Sequence, residues 1–165
     1  MEVRNATIDD AAQIVKVMED AEASNFMMFG PGERKMTAEK FVPYIEAIGK
    51  KEHGALFVAL EDDTILGYLI VQGEVRPERV SHKAGIVIGV HSASRGKGAG
   101  TALFEHAHQW AVEKGLHRLE LTVIATNEQA FALYRKMGYE MEGVKKHSLF
   151  IDGAYVDEYY MAKFL

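Results

Sequence analysis

The stretch that decides the fold is AGIVIGVHSASRGKGAGTALFEHAHQWA, from Ala84 to Ala111. Its first part, Ala84 to Val90, is apolar throughout, the pattern of a strand buried on both faces. Its last part places Leu103, Phe104, Ala107, Trp110 and Ala111 at helical spacing, with Gly115 in position to end the helix. Between them lies RGKGAG, Arg95 to Gly100. A strand that runs through glycines into a helix makes a place for an anion: the unpaired amides of the first turn point at the ligand, and the helix dipole favours negative charge there. Glycine lets the backbone approach without a Cβ in the way. Arg95 and Lys97 add local positive charge to a chain whose formal net charge is -5.

Two nucleotide motifs compete for this segment. A P-loop requires GxxxxGK followed by Ser or Thr, whereas Lys97 here precedes Gly98 and Gly100, so that reading fails. A Rossmann-type nucleotide or S-adenosylmethionine site has a ribose-binding acid to offer in Glu120, but Glu120 falls in mid-strand and His91 to Arg95 separate the apolar strand from Gly96. It stays as a minor alternative.

Outward from this unit, Glu2 to Ala6 reads as a strand. Thr7 or Asp9 caps a helix carrying Ile14, Val15, Met18 and Ala21 that ends near Ser24. The segment NFMMFGPGER, Asn25 to Arg34, is a loop by virtue of Gly30, Pro31 and Gly32. Thr37 caps a second helix bearing Phe41, Tyr44, Ile45 and Ile48. Ala55 to Leu60 and Ile65 to Gln72 form a hairpin. A charged connection, Glu74 to Lys83, leads into the central strand. His117 to Ala125 is the next strand, and Asn127 begins a helix bearing Ala130, Phe131, Tyr134 and Met137 that Gly138 closes. Tyr139 to Phe150 and Ala154 to Ala162 pair through Asp152 and Gly153. The order βααβββαβαββ predicts an α/β (α+β) fold, a mixed central sheet of about seven strands with four helices, in a single domain over residues 1–165.

Composition removes other classes. The absence of cysteine excludes disulfides, thiolate metal sites and a cysteine nucleophile. The acidic balance argues against nucleic acid, which needs many cationic contacts with phosphate. No apolar run approaches the roughly 18 residues of a membrane span, and MEVRNATIDD lacks the pattern of a signal peptide, so a cytoplasmic protein without membrane contact is expected. His106 and His108, two apart on a helix, point to different sides, and with no HExxH motif no metal is expected.

Arg95, Gly98 and Gly100 match the R/QxxGxG/A signature of the GNAT acetyltransferase superfamily. The run NEQAFALYRKMGYEMEG, Asn127 to Gly143, resembles the second signature of that family, an Asn followed by a helix with Tyr and then a Gly-aromatic pair opening a strand. The two lie in the right order about 30 residues apart, and the order of elements resembles the GNAT fold over essentially the whole chain. The C-terminal EGVKKHSLFIDGAYVDEYYMA resembles the bacterial branch that includes amino acid and ribosomal-protein N-acetyltransferases.

The resemblance implies acetyl-CoA as acetyl donor. Its pyrophosphate would lie on Arg95, Gly96, Lys97, Gly98, Ala99, Gly100 and Thr101, and its pantetheine arm would pair with the backbone of Ile88 and Val90, where the strand splays from its neighbour. Asn127 would reach the arm, Phe131 would pack on it, and Tyr134 would donate to the leaving sulfur. The reaction would be direct attack of a neutral amine on the thioester in a ternary complex. The splayed strand offers no carboxylate where many relatives have an acid. His82 is the candidate base because its ordinary pKa suits neutral pH, with a water chain to bulk or to Glu74 as the alternative. Phe26, Phe29, Glu33 and Tyr159 are candidate acceptor contacts, a mix that suits the primary amine of a small molecule, such as a free amino acid. Acyl-CoA binding without turnover and acetylation of protein N-termini or lysines remain alternatives. Related folds often pair as homodimers.

Overall fold

The computed structural model describes residues 1–165. Seven strands form one sheet in the order β1-β2-β3-β4-β5-β7-β6. They are β1 (Glu2–Asn5), β2 (Gly54–Glu61), β3 (Thr64–Gly73), β4 (Lys83–Val90), β5 (Arg118–Ile124), β6 (Glu140–Ile151) and β7 (Ala154–Phe164). Helices α1 (Ala11–Ala23) and α2 (Ala38–Gly49) precede β2, α3 (Ala99–Glu113) follows β4, and α4 (Glu128–Lys136) follows β5. The order is the one expected from the sequence. At its start, Thr7 caps a short 3-10 turn, Ile8–Asp10, that leads into α1.

Strand alternation sends side chains to two cores. Phe57, Leu69, Ala84, Ile86, Leu119 and Leu121 pack with Leu103, Phe104 and Ala107 of α3, and the partly buried Phe131 and Tyr134 of α4 join this cluster. Val58, Tyr68 and Ile70 face the other way, onto Ile14 and Met18 of α1 and Phe41 and Ile45 of α2.

Every strand pair is antiparallel except β4 with β5. This removes the Rossmann alternative, whose parallel sheet is its defining feature. Glu120 has other partners: Arg118 Nε donates to it at 2.8 Å and Lys83 Nζ at 3.0 Å. Burial alone would raise the pKa of this carboxyl, but the two cations hold it below its ordinary value.

One expectation about β4 is corrected. Ala84 and Ile86 are buried, but Val87 is 39% exposed, so the strand is not covered on both faces. A continuous apolar run can also arise where one face is covered and the other borders a cleft.

Under the sheet, His108 of α3 meets the buried Tyr139, with its Nε2 3.1 Å from the phenol oxygen. Burial and Lys163 push the imidazole down to about 4. The unfolded chain therefore binds a proton near pH 6.5 that the folded chain refuses until about pH 4, and stability falls with pH across that window. The full penalty is of order 3 kcal/mol. Urea melts should show stability dropping between pH 6.5 and 4, and His108→Gln should flatten that part of the profile.

Candidate active site

The strand β4 pairs with β5 only at Lys83, Ala84 and Gly85, opposite Arg118, Leu119 and Glu120. Beyond this point β5 continues to Ile124 without pairing to β4, and the two strands part. On its other edge β4 stays in unbroken register with β3. The His91 amide donates to the Leu66 carbonyl at 2.8 Å. Backbone groups alternate along a strand, so the amides and carbonyls of Ile88 and Val90 point away from β3, into the gap. Their side chains pack on the α3 side. An extended polyamide can lie in this gap as an added strand and bond to these groups.

The open end of the gap leads to the glycine-rich turn. Gly96 and Gly98 have φ of 76° and 88°, a region in which a Cβ is strained. Gly98 is the N-cap of α3 and offers no side chain to its first turn, so the amides of Ala99, Gly100 and Thr101 are left for a ligand. Gly100 is needed for a different reason: a Cβ there would stand 2.9 Å from Leu133 of α4. Arg95 and Lys97 are exposed beside the turn. A third cation comes from α4, where Lys136 Nζ lies 3.4 Å from the Thr101 hydroxyl. The turn is braced from α1: Asp20 accepts from the Ser92 amide at 2.6 Å and the Ser92 hydroxyl at 2.7 Å.

On the α4 side of the gap, Asn127 caps the helix by accepting from the Ala130 amide at 3.2 Å. Tyr134 stands edge-on to Phe104 at 5.7 Å. Burial, with a smaller contribution from Tyr68, pushes its phenol up to about 12. Tyr68 belongs to the opposite face, and its ring lies directly on Gly89, where a Cβ would come within 2.6 Å of it. Gly89 is thus a close approach, one of the two roles open to a glycine inside a strand.

The face carrying Tyr68 is bordered by the α1–α2 loop and the β6–β7 hairpin. Asn25 Nδ2 donates to Asp152 Oδ2 at 2.8 Å, tying the loop to the tip of the hairpin. In the loop Phe26 and Phe29 are partly exposed, at 40% and 37%. The Arg34 guanidinium lies 4.8 Å from the Phe29 ring centre and pairs with the buried Glu22. It stands close enough to Tyr68 to oppose the rise that burial imposes on that phenol. Its Nε–H is buried and donates to nothing in the protein.

A model of the Acetyltransferase (GNAT) family matches residues 16–139. The chain belongs to the GNAT acetyltransferase family. It is 37% identical over 110 residues to the L-amino acid N-acetyltransferase AaaT of Escherichia coli (strain K12), a match covering 64% of this chain and 65% of AaaT, just under two thirds of that protein's length. Among solved structures, a GNAT-family acetyltransferase from Streptococcus pneumoniae superposes with a TM-score of 0.91 at 25% identity, covering 99% of this chain and 98% of that one. A GNAT phosphinothricin acetyltransferase from Sinorhizobium meliloti, solved in complex with acetyl-CoA, has a TM-score of 0.88 at 19% identity, covering 99% and 88%.

Of the residues expected around the donor, Ile88 and Val90 lie on β4 where it parts from β5, Arg95 to Thr101 form the turn into α3, and Asn127, Phe131 and Tyr134 belong to the cap and body of α4, the last two packed against the core shared with α3. The residues expected around the acceptor do not all lie together. His82 is exposed and precedes β4, six residues from Ile88. At a rise of about 3.3 Å per residue that is roughly 20 Å, too far for direct proton transfer. Glu74 lies at the same remote end and pairs with Lys51. Glu33 is exposed and accepts from the Gly30 amide at 2.7 Å, which makes it a brace of its own loop. The residue that turns inward is its neighbour Arg34. Tyr159 packs edge-on against Phe131 at 5.6 Å, on the α4 side of the sheet, where it can support the donor arm. Its neighbours Glu158 and Tyr160 take the opposite face, the one that carries Tyr68. Arg34, Glu158 and Lys136 are charged residues in charged or mixed stretches of a loop, a strand and a helix, and for Glu158 only the parity of the strand tells inward from outward.

Proposed function

We propose that this chain transfers acetyl from acetyl-CoA directly to the primary amine of a free amino acid or closely related small molecule, and that its 165 residues act as one such domain. The observation that carries this reading is the gap between β4 and β5. It has free backbone groups at Ile88 and Val90, a positively charged glycine turn at one end and Tyr134 at its side. A thioester bound along it would meet an acceptor arriving from the face that carries Tyr68 and Arg34. The amine attacks the thioester carbon, the C–S bond breaks, and the sulfur leaves as thiolate against the Tyr134 hydroxyl. Orientation of the two reactants and backbone donors to the oxyanion supply the acceleration.

An amino acid acceptor is supported by Arg34. A guanidinium with one unpartnered N–H, laid on an aromatic ring at the acceptor face, suits a carboxylate. The similarity to AaaT, an L-amino acid N-acetyltransferase, supports the same class. The test is release of free thiol from acetyl-CoA across a panel of amino acids, their amides, polyamines and N-terminal peptides. Amino acids are expected to turn over fastest, ahead of their amides. Tight acetyl-CoA binding with no thiol release from any amine would sink the acetyltransferase reading, and fastest turnover of peptides would replace the acceptor class.

A further inference from the structure

We propose that Glu158 receives the acceptor's ammonium group and takes the proton that the nitrogen must lose before it attacks. The inference rests on the acetyltransferase reading above and deepens it.

The chain buries three acids. Asp10 pairs with Arg4 and Glu22 with Arg34, while Glu158, 8% exposed, has neither an ion pair nor a hydrogen bond from the protein. Its stem is covered, but its carboxylate oxygens are not among the buried polar atoms that lack a partner, so they open onto the space before the sheet and are free to meet a ligand. Its place in the sheet says which. Tyr159 and Met161 belong to the core shared with α3 and α4, so alternation turns Glu158 to the opposite face, the one carrying Tyr68. Its partner across the ladder is Ile124, the last residue of β5, four positions past the last pairing between β5 and β4. Glu158 therefore stands beside the open part of the gap, level with the second half of β4.

The hairpin encloses this position. The register between β5 and β7 ends at Glu158, with one further bond from the Ala125 amide to the Asp157 carbonyl at 2.9 Å, and beyond it the outer part of the hairpin runs on alone. Register shifts between Met141 and Gly143 and between Lys145 and Leu149, with a φ of 50° at His147, bend β6 there. The bent hairpin reaches the α1–α2 loop at Asn25 and Asp152, so Glu158 lies at its root, inside the closure. The charged and titratable groups that share its face or border the space before it are Lys145 across the ladder from β6, Tyr160 on β7, Tyr68 on β3, the Glu22–Arg34 pair between α1 and the loop, and, four positions down β5 from Ile124, Glu120 with its partners Lys83 and Arg118. Lys145 is exposed and makes no ion pair with Glu158. A zwitterion placed with its carboxylate on Arg34 and its ammonium on Glu158 would satisfy the free valence of both side chains.

The proton balance closes. The ammonium gives one proton to the Glu158 carboxylate, which passes it to solvent after release. The neutral amine forms the C–N bond as the C–S bond breaks, and the second proton leaves the nitrogen as CoA departs as thiol. Each turnover yields the N-acetyl product, CoA thiol and one proton.

The test is Glu158→Gln, read as kcat/KM against pH with the best amino acid of the panel. The wild type can use the ammonium form, whereas the Gln variant must wait for the rare neutral amine. Its kcat/KM is expected to fall at least tenfold at pH 7 and to climb about tenfold per pH unit towards the pKa of the acceptor amine, closing on the wild type. Glu158→Asp should recover part of the loss. Because Glu158 has no ion pair or hydrogen bond in the protein to lose, the thermal midpoint of the variant should stay within about 2 °C of wild type, and acetyl-CoA affinity should not change. A Gln variant within threefold of wild type with the same pH profile overturns the inference, as does a variant that loses activity equally at every pH or melts well below wild type. A wild type that releases no thiol with any amine defeats the acetyltransferase reading itself and takes this inference with it.

Discussion

Replacing Gly98 with Val is expected to weaken acetyl-CoA binding by about three orders of magnitude while the protein stays folded. Gly98 has a φ of 88°, and no heavy atom lies within 4 Å of the position its Cβ would take. The cost is therefore conformational. A left-handed backbone disfavours any L-residue by roughly 1–2 kcal/mol, and a β-branched residue stands at the unfavourable end. The turn has an easier escape than bearing that strain, which is to rotate the peptides on either side of residue 98. Those peptides aim the amides of the first turn of α3. Charge-assisted hydrogen bonds contribute about 1.5–3 kcal/mol each, so misdirecting two of them removes about 3–6 kcal/mol of binding. Calorimetric titration with acetyl-CoA reads the loss directly. Gly96, also at positive φ, should behave similarly. Gly100→Val should instead lower stability, because its Cβ meets Leu133 across the α3–α4 contact. Equal affinities in wild type and Gly98→Val would mean that the phosphates of the donor lie elsewhere.

The proposed donor half draws on residues that lie close together in the sequence, because its chemistry is local. Arg95 to Thr101 is a contiguous turn whose glycines, cations and helix start all follow from neighbouring residues, and Asn127 and Tyr134 are separated by a helix of known pitch. Gly89 within β4 is explained by the Tyr68 ring laid on it, and the parting of β4 from β5 left no trace of its own in the sequence. The acceptor half is made by elements far apart in the chain, and there the reading depends on which side of a strand or loop a residue faces. An error of one position exchanges the two faces of a sheet. Tyr159 and Glu158 differ by that one position, and without the ladder from Ile124 to Glu158 nothing distinguishes them. Glu33 and Arg34 present the same problem in a loop that has no period at all. His82 failed for another reason: it is close in sequence to the right strand but at its wrong end, and sequence proximity carries no information about distance along an extended segment.

Tyr134→Phe is expected to lower kcat by about tenfold to a hundredfold with little change in acetyl-CoA affinity. The departing sulfur develops negative charge as the C–S bond breaks, and a donor placed there stabilises the transition state more than the ground state, so the loss should fall on kcat. The burial that pushes the Tyr134 phenol up to about 12 also decides how it acts. With a free thiol near 8.5, complete transfer of the phenolic proton to sulfur is uphill by about 5 kcal/mol, against about 2 for an ordinary phenol near 10. In the proposed reaction Tyr134 would therefore act as a hydrogen-bond donor that keeps its proton, and thiolate protonation would be completed by the proton the nitrogen gives up. Two measurements follow. The alkaline side of the wild-type kcat profile should show no fall near pH 10, because this phenol stays protonated there, and the Phe variant should keep the shape of the wild-type profile at a lower level. Rates with thioesters of more acidic thiols should differ less between Phe variant and wild type than rates with acetyl-CoA, since a better leaving group needs less support. A Phe variant that matches wild-type turnover on acetyl-CoA would remove Tyr134 from the reaction and leave it as the partner of Phe104 in the core.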